Sequence, residues 1–303
     1  KYKVLSNGAR LSAKAQKNGK TTWHYKMQHP HAPYLIMVGI GEYDIKTVKS
    51  KSGVNIDLWY YPEWEDRVEA TYKYSAEMMD YFEDEIGVKY GWEKYSQIPV
   101  QDFMFGAMEN TTATLFGDFY HIDNRAYLDK NYVAVNAHEL AHQWFGDLVV
   151  IAHWSHAWIK EGMATYSEVL WTEHEYGADE AAYYRLNEAR SYFSEDSSRY
   201  SRPIVTHVYR EAIELYDRHL YEKGACVYHM IRAELGDELF AKAIHTFVQD
   251  NAHKTVETVD LLRAIEKATG RNLLFLFDQY VYRGGHPKYK VSYSWDNDSK
   301  IAK

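Results

Sequence analysis

The most constraining feature is the stretch VNAHELAHQWFGDLVVIAHWSHAWIKEGMATY, residues 135–166. It contains His138-Glu139-Leu140-Ala141-His142. Two histidines four apart on a helix lie about 40° apart around its axis, on one face. Their imidazoles can then reach one ion at roughly 2.0–2.1 Å. Glu139, beside the first histidine, can reach a water on that ion from the same helix. A catalytic zinc takes three protein ligands and keeps one position open. Glu161 follows His142 after 18 intervening residues and suits the third place. Residues 146–156 are long enough to turn the chain back, so this spacing demands two packed helices, expected over 132–147 and 157–176. The bland alternative for H-E-x-x-H by itself is a helix with two surface histidines and a solvated glutamate. A glutamate at the one required later position argues against it.

The remaining pattern is mixed α and β. Residues 1–48 are rich in β-branched and aromatic types and read as strands. Residues 67–86 turn helical, with Tyr74, Met78, Tyr81 and Phe82 at helical spacing and Gly87 as a stop. Residues 97–120 look extended and pass through Gly106-Ala107-Met108-Glu109-Asn110. A further helix is expected over 258–269, with Thr258 as N-cap and Gly270 as terminator. Residues 272–282 could form another buried helix, and KYKVSYSW, residues 288–295, alternates like a strand. The expected fold class is α+β, mostly helical after residue 130, with β-domain remnants at both ends. The domain reading is 1–48, 49–285 and 286–303. For 303 residues this fits one large domain with attachments.

Composition closes off other classes. The 28 Tyr, 11 Phe and 9 Trp supply more buriable surface than a disordered chain carries. The longest apolar run, Tyr34 to Ile40, is far short of the roughly 20 residues a bilayer requires. A net charge of −8 without a basic stripe argues against a nucleic-acid partner. One cysteine, Cys226, excludes an intrachain disulfide and fits a reducing, cytoplasmic compartment. The opening KYKVLSNGARL has no apolar signal region and no initiator methionine, so a piece of a longer protein is expected.

His153 and His156 bracket Trp154 and Ser155 in the inter-helix link; they read as loop polar residues, with a second metal site as the alternative. His29, His31 and His121 have no ligand spacing and read as structural. Cys226 lies on an apolar stripe with Val227 and Met230 and reads as core, not as a nucleophile.

Taken together, H-E-x-x-H, 18 residues and Glu161, the pentapeptide Gly106 to Asn110, and Tyr221-Glu222-Lys223-Gly224-Ala225 resemble the zinc aminopeptidases of family M1, which are gluzincins. The resemblance covers roughly residues 20–303. It implies a thermolysin-like catalytic domain with one Zn2+ on His138, His142 and Glu161. It gives Glu139 the role of general base and acid, and Tyr221 that of oxyanion donor. Phenol donates well and stays neutral near pH 7, although core packing is the ordinary role of a tyrosine. The implied substrates are peptides with a free N-terminus. Glu109 would hold their α-ammonium, and backbone groups of Gly106 and Ala107 would pair with the peptide as an added strand. There are departures. Lys160-Glu161-Gly162 stands where the family often has Asn-Glu-Gly, and Trp154-Ser155-His156-Ala157 where it has Trp-Trp-Asn-Asp. The family's substrate pocket also borrows residues from flanking domains. Three rival readings share the zinc triad: a thermolysin-like endopeptidase, a bifunctional branch that also opens an epoxide, and a non-catalytic zinc-stabilised binding domain.

Overall fold

The computed structural model describes residues 1–302. Four short strands come first: β1 (Lys3–Ser6), β2 (Ala9–Ala15), β3 (Thr21–Lys26) and β4 (Val38–Gly41). β1 pairs with β4 and β2 with β3, both antiparallel. Next come β5 (Asp44–Lys49) and β6 (Asn55–Tyr60). They join β7 (Tyr95–Val100), β8 (Ala107–Met108) and β9 (Ala113–Gly117) in a five-stranded sheet of order β5-β6-β7-β9-β8. β6, β7 and β9 run parallel, while β5 and β8 close the two edges antiparallel. β7 is buried from Tyr95 to Pro99, as a central parallel strand must be when both faces are covered. β5 pairs with β6 along its whole length, so this sheet begins at Asp44, a few residues before the expected boundary after residue 48.

The helix expected over 67–86 is in two pieces, α1 (Val68–Thr71) and α2 (Ser75–Ile86). The break is at Tyr74, whose φ is 70°. It lets Tyr72 bury its phenol under the sheet, where it donates to Trp59 O at 2.7 Å and meets His121 Nε2 at 2.8 Å. α2 stops at Gly87 as expected, in the left-handed conformation that glycine favours.

The rest is mainly helical. α3 (Ala126–Asp129) and α4 (Val133–Ala141) lead to β10 (Val149–Ile151), then α5 (Trp158–Tyr176), α6 (Ala178–Ser198), α7 (Glu222–Leu235) and α8 (Asp237–Asn251). β11 (Lys254–Val256) pairs parallel with β10, followed by α9 (Thr258–Thr269) and α10 (Leu274–Tyr280). α4 ends about a turn and a half before the expected residue 147. Gly146, at φ 129°, turns the chain, and its N–H donates to Val149 O at 2.9 Å. Trp144, Phe145 and Leu148 enter the core from this turn and so continue the apolar pattern past the helix end.

α5 is the central helix. Every residue from Trp158 to Ser167 is buried. It crosses α7 at Gly162 and Gly224, where a Cβ on Gly224 would lie 3.0 Å from Gly162 Cα. No side chain separates the two backbones there.

Two further expectations change. α9 is capped by Glu257, which forms a capping box with Asp260; Thr258 is already helical. Its hydroxyl instead accepts from Trp158 Nε1 at 2.9 Å and meets His156 Nδ1 at 2.9 Å. The alternating tail forms no strand over 288–294; only β12 (Trp295–Asp296) pairs, with β13 (Ile301–Ala302). Tyr289, Val291 and Tyr293 are exposed, and among the described residues no neighbouring strand takes up their backbone groups. α10 is half as buried as expected: Leu276 and Phe277 face the core, and Leu274 and Phe275 face solvent. No helix among the described residues is long and apolar enough to cross a membrane.

Candidate metal centre

α4 brings His138 and Glu139 to the α5 face, and His142 follows in helical conformation at its C-terminal end. Glu161 lies in the first turn of α5, opposite them. His138 Nε2 and His142 Nε2 are 3.1 Å apart. Glu161 Oε2 is 3.4 Å from the first and 3.2 Å from the second. Ligand atoms about 2.0–2.1 Å from a tetrahedral ion stand about 3.3 Å from one another. The triangle therefore fits one zinc with a fourth position open. The three residues that the spacing singled out are the three that converge.

Each ring is oriented from behind. His138 Nδ1–H donates to Glu168 Oε1 at 2.7 Å, and His142 Nδ1–H donates to Phe145 O at 2.8 Å. Both bonds fix the tautomer that leaves Nε2 free to bind a metal. Glu168 also accepts from Tyr184 Oη. Glu168 went unnoticed in the sequence. It lies seven residues after Glu161, two turns along the same helix face, and that spacing is the signal that could have found it.

Glu139 is 6% exposed, and its Oε2 has no hydrogen-bond partner. Burial pushes its carboxyl up to about 7, against the pull of His138 and His142. Glu109, Glu139 and His142 offer oxygen or nitrogen atoms all within 4.8 Å of one another. Tyr221 stands just before α7, its ring centroid 6.1 Å from that of His138. Burial holds its phenol well above the ordinary value, so it stays a donor. A cleft of about 740 Å³ has Tyr216 and Tyr221 in its wall.

Glu109 follows β8 at the sheet edge. Gln143, the residue after His142, pins this segment: its amide donates to Glu109 O at 3.3 Å and accepts from Thr112 N–H at 2.9 Å. From the other side Asn7 donates to Thr111 O at 2.7 Å. Gly106 and Ala107, expected to pair with a peptide, form bonds within the chain at this edge. Gly106 N–H donates to Phe103 O at 3.4 Å, Gly106 O accepts from Gly117 N–H at 2.6 Å, and Ala107 N–H donates to Phe105 O at 3.2 Å. These bonds hold the tight turn at Gly106, whose φ is 85°.

Lys160 is the unexpected member. Its ammonium is buried and donates to Glu109 Oε1 at 2.6 Å and to Glu161 Oε1 at 2.7 Å. Burial would push both carboxyls up, but Lys160 and His142 outweigh it, holding Glu109 below and Glu161 well below the usual range.

The other histidines stay apart from this site. His153 accepts from Ser155 N–H at 3.3 Å, and His156 is tied to Thr258. Glu195, Asp217 and His219 form another close group, but Arg202 already fills it, donating to Asp217 at 2.7 and 2.8 Å. Cys226 is only partly buried, beside buried Val227.

Comparison with known proteins gives a consistent picture. The peptidase family M1 domain matches residues 70–280. Aminopeptidase M1 of Arabidopsis thaliana is 29% identical over 290 residues, covering 94% of this chain and 33% of the relative. Glutamyl aminopeptidase of Sus scrofa is 28% identical, covering 96% of this chain and 32% of the relative. Probable aminopeptidase 2 of Sulfurisphaera tokodaii is 32% identical, covering 88% and 35%. The chain thus spans about a third of the length of these curated relatives.

Proposed function

The chain belongs to peptidase family M1, and from that premise we propose that it carries the catalytic machinery of a zinc aminopeptidase acting on peptides with a free N-terminus. The carrying observation is the triangle of His138, His142 and Glu161, 3.1–3.4 Å on a side, with the carboxylates of Glu139 and Glu109 beside it. Those three residues would hold one zinc per chain. When bound, the ion would polarise the scissile carbonyl and acidify a water.

The chain's own groups do the rest. Glu139 accepts a proton from the attacking water and returns it to the leaving amine. Its buried, unpartnered oxygen supports that role. Tyr221 donates to the oxyanion that develops on the substrate carbonyl. Glu109 accepts from the α-ammonium and so fixes the reacting bond one residue from the N-terminus. Residues 49–285 hold every one of these groups, and the two small two-stranded sheets, β1 with β4 and β2 with β3, support reading the N-terminal segment as the end of a separate β-unit.

The test is a zinc-loaded preparation incubated with an unblocked hexapeptide. One zinc per chain and release of single residues from the N-terminus are expected. Glu139→Gln should keep the zinc and lose roughly 10²–10⁴ of the turnover. Internal cleavage would replace this reading with an endopeptidase, and zinc without turnover with a binding module.

A further inference from the structure

Lys160 has no part in the chemistry above, yet it sits at the centre of it. A lysine beside a carboxylate at a helix start ordinarily extends its head into water. Here the side chain is 2% exposed. The ammonium donates to Glu109 and also to Glu161, and the rings of Tyr34 and Tyr216 flank it with centroids 5.4 and 5.6 Å from Nζ, within reach of cation–ring attraction. Two carboxylates, two aromatic faces and exclusion of water make a complete ammonium site, and Glu109 is the carboxylate that the proposed zinc does not claim. The chain fills it with its own side chain.

A substrate α-ammonium brings the same charge to the same carboxylate. Two ammonium groups a few ångströms apart in a buried site repel strongly. A free N-terminus must therefore displace Lys160 from Glu109, whereas a neutral, blocked one need not. The advantage of the free amine becomes the difference between two ammonium–carboxylate contacts, not the whole of one. We propose that Lys160 is a tethered competitor for the α-ammonium at Glu109, and that it sets how strongly the site prefers a free over a blocked N-terminus. This rests on the aminopeptidase reading.

The intact protein, stripped of metal, is titrated with L-leucinamide and with N-acetyl-L-leucinamide by ligand-observed NMR. Removing the metal prevents the ligands from reporting on zinc. Wild type should bind the two within a few-fold of each other. Lys160→Met removes the charge and keeps the stem length. It should tighten leucinamide roughly 10–100-fold, the scale of a hydrogen bond between charged groups, and leave the acetylated ligand unchanged. Lys160→Gln, a polar replacement for use if the methionine variant does not fold, should shift the ratio in the same direction. Adding Glu109→Gln should abolish the gain. Leucinamide binding that is unchanged or weaker in a folded Lys160 variant overturns the proposal and makes Lys160 a structural partner of Glu109. The underlying reading is tested separately by Glu109→Gln in the zinc-loaded protein. If that variant loses kcat/KM on free-amine peptides while the Lys160 variants show no gain, only the competitor fails. If it loses nothing, the amine anchor itself is wrong.

Discussion

Gly224→Ala probes the place where α5, which carries Glu161, and α7, which follows Tyr221, touch. Neither Gly162 nor Gly224 has a positive φ, so alanine fits both backbones. On a free helix the substitution would stabilise by about 1 kcal/mol. Here the new Cβ would meet Gly162 Cα at 3.0 Å, its N at 3.7 Å and Trp158 Cβ at 3.9 Å. Carbon atoms prefer about 3.5–4.0 Å. The closest neighbour is backbone, so α7 must move away from α5 by several tenths of an ångström. Overpacking of this kind costs about 1–3 kcal/mol, which leaves a net loss of up to about 2 kcal/mol after the helix gain. Tyr221 immediately precedes α7 and moves with it. A misplacement approaching 1 Å costs on the order of 10²-fold, so a smaller shift should lower kcat by about tenfold. Urea unfolding, zinc content and kcat on an aminoacyl amide are measured together. Expected are a lower midpoint, unchanged zinc and lower kcat. A variant about 1 kcal/mol more stable with unchanged kcat would refute both the tight crossing and its link to Tyr221.

Three other outcomes follow from the same geometry. Tyr221→Phe should fold normally and lose roughly 10²–10³ in kcat, the cost of one oxyanion donor; an unchanged kcat returns Tyr221 to packing. Glu168→Gln weakens the partner of His138 Nδ1 and should lower zinc affinity about 10–100-fold in chelator competition, with the fold intact. Burial, helped by the charge of Arg67, lowers the His121 ring to about 3, from the 6.5 it regains on unfolding. Between those values the unfolded chain holds a proton that the folded chain does not. Stability is therefore full above the upper value and falls as pH drops through the window, by up to about 1.4 kcal/mol per pH unit. In zinc-free protein, urea midpoints should show that slope reduced in His121→Gln; an identical slope would mean that His121 is already charged in the fold.

Ligand geometry was the most legible part of the sequence. Holding one ion would impose on His138, His142 and Glu161 distances that only packed helices satisfy, so their convergence could be read from residue types and spacing. Helix ends were less legible. The apolar pattern runs on through Trp144, Phe145 and Leu148 because a buried turn needs the same residues as a buried helix. α6 gave almost no periodic signal, since only Ala181, Tyr192 and Glu195 of its residues are buried. α8 did carry one: Phe240, Ala243, Ile244, Phe247 and Val248 stand at helical spacing and could have been read. Alternation in the tail specified a face but not a partner, and a strand needs both. Lys160 was noticed as a departure, but nothing local tells which way a lysine stem runs; Glu109, which attracts it, is 51 residues away.

The edge position of β8 separates two heritable traits. The proposed metal capture rests on two helices locked into an aromatic core, where most substitutions are felt by the whole fold. Glu109, the carboxylate proposed to hold the N-terminus, follows a two-residue strand at the rim of the sheet. Under the proposed function, a substitution near β8 would alter which peptides are accepted while leaving the proposed metal site in place. The two traits meet at Gln143, which follows one proposed ligand, and Lys160, which precedes another. Those are the positions at which a single codon change reaches both, and where shifts in diet between related enzymes should first be sought.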